Sequence, residues 1–134
     1  MVLVNKPALF VFLTFATVAA QQASVERAME LVAAGKLDQA ASMLLDLEKA
    51  DSQNAEVAYR FGLVLLKQGK LEDARVRLES AAKLNPKYPF VWSALGLLHD
   101  TLAKAAARTD APAAAREFQE ATGWIHCAFR ITSI

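Results

Sequence analysis

The chain has 134 residues, 15 of them Lys or Arg and 14 Asp or Glu, for a formal net charge of +1, and 54% of it is hydrophobic. That length allows one small domain with a modest core, and a near-neutral balance without Lys and Arg clusters excludes a surface built for nucleic acid or anionic membranes. The single cysteine, Cys127, excludes an intrachain disulfide, so stability rests on packing.

Residues 1–20, MVLVNKPALFVFLTFATVAA, hold one lysine, Lys6, and then an uncharged apolar run from Ala8 to Ala20. The run is shorter than the about 20 residues of an ordinary membrane-spanning helix. It fits a secretory signal peptide, because Val18-Ala19-Ala20 supplies small residues where a signal peptidase reads, and the cut is expected after Ala20. A buried N-terminal helix or an uncleaved anchor is the alternative reading; only the anchor would bring the protein to a membrane. Cleavage leaves 114 residues with 14 basic and 14 acidic side chains, in an exported compartment, the bacterial periplasm or the cell exterior.

Between Ala23 and Lys49 two amphipathic helices are predicted, with Val25, Met29 and Val32 along one side of the first and Leu37, Ala40, Leu44 and Leu47 along the second. Asp51-Ser52-Gln53-Asn54 connects them to a second pair over 55–88. There Ala58, Phe61, Gly62 and Leu65 share one helical face, Gln68-Gly69-Lys70 interrupts, and Leu71, Ala74, Leu78 and Ala81 resume the period until Asn85-Pro86 ends it. Small Gly62, Ala74 and Ala81 alternate with large Phe61, Leu65 and Leu78, which lets two helices approach closely. A third unit opens at Phe90.

Adding 34 to Leu31, Gly35, Leu37, Ala40 and Leu44 gives Leu65, Gly69, Leu71, Ala74 and Leu78, and the same step takes Ala58, Phe61 and Gly62 to Trp92, Leu95 and Gly96. The period marks an internal repeat. On these residues the chain resembles the tetratricopeptide repeat family, and the middle copy carries nearly every signature place: Ala58, Phe61-Gly62, Leu65, Gly69, Leu71, Ala74, Leu78, Ala81 and Pro86. The first copy, about 21–54, is degenerate, with Arg27-Ala28 where Leu-Gly is usual and Ser52 in place of proline. In the third, 89–122, Ala114, Phe118 and Ala121 restore the Ala…Leu…Ala spacing of Ala74, Leu78 and Ala81, but Ala114 stands 40 residues after Ala74, so six extra residues are expected as an inserted loop near 103–113. Thr109-Asp110-Ala111-Pro112 has helix-start chemistry. The expectation is an all-α chain: a signal helix (1–20), a solenoid of about three repeats (21–122), and an apolar tail (123–134). Trp124, Ile125, Cys127, Ala128, Phe129, Ile131 and Ile134 make that tail a short docking helix, a partner or membrane contact, or the result of a shortened reading frame.

Little in the chain suggests catalysis. His99 falls at a core position of the repeat, adjacent His126 and Cys127 point in different directions on a helix, and no second metal-ligand pair exists. Gly35-Lys36 and Gly69-Lys70 lack the earlier glycine and following Ser/Thr of a phosphate loop, and Glu26 and Glu30 flank Arg27 as a solvated face does. No enzyme, cofactor or metal is expected.

The resemblance implies that the repeats stack into a right-handed superhelix whose first helices line a concave side that binds peptides or partner proteins. On helical spacing, Val25 and Met29, then Tyr59, Leu63 and Leu66, then Phe90 and Leu97 face that side, with Val32, Lys67, Ser93 and Asp100 around them. The family's chaperone-binding members grip a peptide carboxylate with Lys, Arg and Asn on these helices. Val25, Met29 and Leu63 stand where such groups are needed, so an extended or helical segment with apolar anchors is the expected ligand. Packing of Tyr59 and Phe90 between repeats is the alternative. An adaptor or scaffold is thus the expected role, with a fragment of a longer repeat protein or an accessory subunit of an enzyme complex as the alternatives.

Overall fold

A computed structural model describes residues 6–132. Within them lie six helices and no strand: α1 (Lys6–Ala33), α2 (Leu37–Ala50), α3 (Ala55–Lys67), α4 (Leu71–Leu84), α5 (Pro89–Ala106) and α6 (Ala111–Thr132). They form three antiparallel hairpins, α1/α2, α3/α4 and α5/α6, and each hairpin packs on the next through α2 on α3 and α4 on α5. Residues 1–5 of the expected signal and 133–134 of the expected tail lie outside the described residues.

Local chemistry sets the helix ends. Asn54 caps α3 by accepting the backbone N–H groups of Glu56 and Val57 at 3.1 and 3.2 Å. At its other end the Lys70 N–H donates to the Leu65 carbonyl and the Gly69 N–H to that of Leu66, which requires Gly69 at φ +75°. Lys36 and Gly35 repeat the arrangement one unit earlier, with Gly35 also at φ +75°. A Gly69→Val variant is expected to lose about 1–2 kcal/mol, because a β-branched residue enters the left-handed region. Nothing lies within 4 Å of a Cβ built at Gly69, so an unchanged urea midpoint would refute the backbone explanation itself.

One contact fixes each of the second and third hairpins. A Cβ on Gly62 would stand 2.7 Å from Leu78 Cγ and 3.4 Å from the Ala74 carbonyl oxygen, so α3 and α4 touch backbone to side chain here. Gly96 makes the equivalent approach to Ile125 Cγ1 at 2.7 Å and to the Ala121 carbonyl oxygen at 3.4 Å. Ala121 and Ile125 therefore take the places of Ala74 and Leu78, and the expected assignment of Ala114 and Phe118 to those places is corrected by seven residues. Ala121, Ile125 and Ala128 carry the same four-then-three spacing as Ala114, Phe118 and Ala121. Seven residues are close to two helical turns, so both sets lie on nearly the same face. The extra residues also do not form a loop. Residues 103–106 belong to α5 and 111–113 to α6, leaving a short turn in which Asp110 Oδ1 accepts the Ala113 N–H at 3.2 Å. The insertion makes the third hairpin longer, and the expected tail is the end of α6, not a separate cap.

The first copy departs from the repeat for a physical reason. Val57, Phe61 and Val64 of α3 and Val91, Leu95 and Leu98 of α5 are buried. One repeat earlier these places are Ala23, Arg27 and Glu30 on α1, all exposed. No hairpin precedes α1 among the described residues, and that face is an open furrow of about 500 Å³ bordered by Ser24, Arg27, Gln39, Ser42 and Asp46 together with Met43 and Leu47. Arg27 is exposed there. The expected cut after Ala20 falls inside α1, where the Ser24 hydroxyl donates to the Ala20 carbonyl at 2.9 Å. No helix among the described residues is long and apolar enough to cross a membrane.

Candidate partner-binding groove

The first helices of the hairpins, α1, α3 and α5, lie side by side, with α3 touching both neighbours. Their shared face carries a row of aromatic rings. Tyr59 on α3 meets Tyr88 edge-on at 5.2 Å between centroids and 80° between planes, and Tyr88 meets Phe90 at 5.6 Å and 78°. Such edge-to-face pairs contribute about 0.5–1.5 kcal/mol each beyond their buried area. The row runs from α3 through the connector after α4 to the first turn of α5. It ends at solvent: Phe90 is 60% exposed, and Leu97, two turns further along α5, is 56% exposed.

The seven residues expected to line the groove do not contribute equally. Phe90 and Leu97 offer open surface; Tyr59, Leu63, Leu66 and Met29 are partly buried against the core. Val25 is buried and presents no contact surface, so the α1 part of the expected groove shrinks to Met29. Tyr59 and Phe90 pack on Tyr88 between repeats, as the packing alternative expects, and Phe90 also stays exposed.

Arg60 was not among the expected groove residues. Its Nη2 lies 3.4 Å from Glu56 Oε1, its Nη1 3.9 Å from Met29 Sδ, and its guanidinium carbon 5.7 Å from the Tyr59 ring centre. Its buried Nε has no hydrogen-bond partner. The signal was Glu56 and Arg60 at i,i+4, a helix-surface pair beside a groove tyrosine. Arg60 thus sets a cation among apolar and aromatic groups.

Burial, with help from Tyr88, pushes the Tyr59 phenol above its ordinary value, while Arg60 pulls it down more weakly. The sign follows: Tyr59 holds its proton longer folded than unfolded, so its stabilising contribution is complete below the ordinary phenol value of about 10 and is lost as pH rises through the folded one. Difference titration of tyrosinate absorbance, wild type minus Tyr59→Phe, is expected to show a midpoint above that value. A midpoint at or below it would mean Tyr59 is not buried as described.

A second cluster sits between α5 and α6. His99 is buried, with Nδ1 2.6 Å from Glu117 Oε2 and Nε2 3.6 Å from Glu120 Oε2. Glu117 also lies 3.8 Å from Arg75 Nη1, while Arg75 Nη2 pairs closely with Glu72; the Glu72 hydrogen bond holds the Arg75 guanidinium above its ordinary value. Trp124 stacks on Trp92 at 5.1 Å and on His99 at 6.3 Å, and Trp92 Nε1 donates to the Pro86 carbonyl at 2.9 Å. Its repeat position leaves His99 either packed or half-exposed, and it is packed. Among the described residues no group of three or more His, Cys, Asp and Glu could hold a metal ion.

The tetratricopeptide repeat family profile matches residues 31–98, half of the chain. The chain belongs to the tetratricopeptide repeat family. Among solved structures, a MamA mutant aligns at TM-score 0.59 and 20% identity, over 78% of this chain and 72% of that one. The first tetratricopeptide domain of Spaghetti (RPAP3), bound to an HSP90 peptide, aligns at 0.60 and 19%, over 85% of this chain and 94% of that one. Its second such domain, bound to the same peptide, aligns at 0.58 and 22%, over 78% and 96%. These likenesses show the fold, a right-handed tetratricopeptide solenoid. Among curated protein sequences none matches significantly.

Proposed function

We propose that this tetratricopeptide repeat protein is a non-catalytic interaction module that holds an apolar-anchored segment of a partner protein along α3 and α5. The observation that carries the reading is the pair Phe90 and Leu97, seven residues apart on one helix, each more than half exposed beside the Tyr59–Tyr88 edge. That spacing is two helical turns, the interval at which a helical ligand sets its own large side chains. The HSP90-peptide complexes of the two Spaghetti domains support peptide binding as a use of this fold. The ligand here differs in chemistry, because Val25, Met29 and Leu63 are apolar where a carboxylate grip needs polar donors. Arg60, tied to Glu56, adds a polar point of orientation.

Selection from a displayed random-peptide library on the immobilised full chain tests the reading. Enrichment of peptides with two large apolar residues, bound at least about tenfold more weakly by Leu97→Glu, is expected. Enrichment of acidic C termini, or binding indifferent to Leu97→Glu, would overturn it.

The compartment belongs to the same proposal: the apolar run Ala8–Ala20 and the small residues Val18-Ala19-Ala20 support export, with the bacterial periplasm favoured. Alkaline phosphatase fused after Ile134 and expressed in a bacterial host is expected to be active, since it requires export. An inactive fusion of full length would place the protein inside the cell.

A further inference from the structure

The two junctions between hairpins use equivalent places and fill them differently. Between α2 and α4, Arg77 reaches across to Glu48, Nη1 to Oε2 at 3.1 Å, with its guanidinium carbon 5.1 Å from the Phe61 ring centre. The hollow of about 270 Å³ that remains at that junction is bordered instead by Leu45, Asp73 and Val76 beside Phe61 and Arg77. One repeat on, Glu48 becomes Ala82, Phe61 becomes Leu95 and Ala58 becomes Trp92. In the α6 register set by Gly96 on Ile125, Arg77 becomes Trp124. Two stacked indoles and a methyl group thus replace the bridging ion pair, and a cleft of about 360 Å³ opens between α4 and the indoles.

The walls are anchored unequally. Trp92 is fixed by its hydrogen bond to the Pro86 carbonyl, and Pro86 itself borders the cleft. Trp124 is held by its ring contacts with Trp92 and His99, and its Nε1 is buried without a hydrogen-bond partner. Arg75 and Glu117 join α4 to α6 one turn before Glu79, so the two helices are tied beside the cleft and not across it.

We infer that this cleft binds a free α-amino acid with a large apolar side chain. Its volume is at the small end of ligand pockets, which run from about 300 to 1,000 Å³, so it suits a metabolite and not a length of chain. Trp92, Trp124, Leu95 and Ala82 receive the apolar side chain. Glu79 and Lys83, one turn apart on α4, border the same cleft and set a carboxylate and an ammonium beside each other. Neither is in an ion pair among the described residues; Glu79 acts on Arg75 only at longer range. A zwitterion finds an opposite charge for each of its own, whereas a simple anion or cation meets one like charge there. The site uses none of Tyr59, Phe90 and Leu97 and is independent of the groove.

Intrinsic fluorescence tests this directly, because both tryptophans of the chain border the cleft. The full chain is titrated with L-phenylalanine and L-leucine, which are transparent where tryptophan is excited, with far-ultraviolet circular dichroism as the control for folding. A saturable change is expected with at least one of them, and none with glycine, which has the charges without the side chain. N-acetylphenylalanine and phenylalaninamide, each lacking one charge as a chain end does, are expected to bind at least about tenfold more weakly than phenylalanine. Glu79→Gln and Lys83→Met are expected to weaken the amino acid by a similar factor, while Leu97→Glu leaves it unchanged. Should either cleft variant lose helicity, the two analogues carry the same test without a substitution. Any of four results overturns the proposal: no saturable response of the folded chain to either amino acid; an equal response to glycine; single-charge analogues bound as tightly as phenylalanine, which would make the ligand a chain end; or undiminished binding by both folded variants.

Discussion

A Gly62→Val variant is expected to lose at least about 1–3 kcal/mol of stability. Its Cβ would enter at 2.7 and 2.8 Å from Leu78 Cγ and Cδ2, and Leu78 has nowhere to go, being wholly buried between α3, α4 and the next hairpin. Substituting glycine within a helix ordinarily gains stability from propensity, by up to about 1 kcal/mol for alanine and less for a β-branched residue, so a net loss is attributable to the clash. Gly96 provides the internal comparison. Its Cβ would meet Ile125 Cγ1 at the same 2.7 Å, but Ile125 is half exposed and can swing toward solvent. Gly96→Val is therefore expected to cost clearly less than Gly62→Val in urea denaturation. Equal costs would mean that the two glycines do not differ in how firmly their neighbours are held.

Leu78→Ala is expected to destabilise by about 2–5 kcal/mol, the range for removing a fully buried leucine from a core that closes only partly over the cavity. A domain of this size commonly has about 5–15 kcal/mol in total, so the variant should melt well below the wild type. The two sites are coupled. Gly62→Ala in the Leu78→Ala background places a methyl group into the vacated space, so the double variant should be more stable than the sum of the single losses predicts. Additive losses would show that Gly62 and Leu78 do not share the contact.

Much of this fold is readable in the sequence because the middle copy places every residue where packing needs it. Gly62 and Leu78 form the closest approach, Gly69 takes the left-handed turn, and the 34-residue offset carries the pattern to Gly35 and Gly96. The α6 register was not readable. Ala114, Phe118, Ala121 and Ala121, Ile125, Ala128 are the same pattern two turns apart, and a period cannot choose between frames of its own length. The extra residues looked like a loop because repeat arrays usually insert at loops; here both helices of the hairpin simply grew. Arg27 looked like decay of the repeat, yet it is the solvated place of a helix with no hairpin before it among the described residues. Of the groove, spacing located Phe90 and Leu97 on the open face, and it misplaced Val25 because helical period alone does not say how deeply α1 is covered. Arg60 escaped notice because its role depends on reaching across to Met29 on another helix.

The central claim is that the face shared by α3 and α5 receives a partner, and site-specific photo-crosslinking in the native host tests it most directly. Probes at Phe90 and Leu97 are compared with one at Val76, which is equally exposed but lies on α4. A discrete heterologous adduct from both groove positions and none from Val76 is the expected result. Adducts from Val76 alone, or none from Phe90 and Leu97 in a folded protein, would contradict the groove as the working surface.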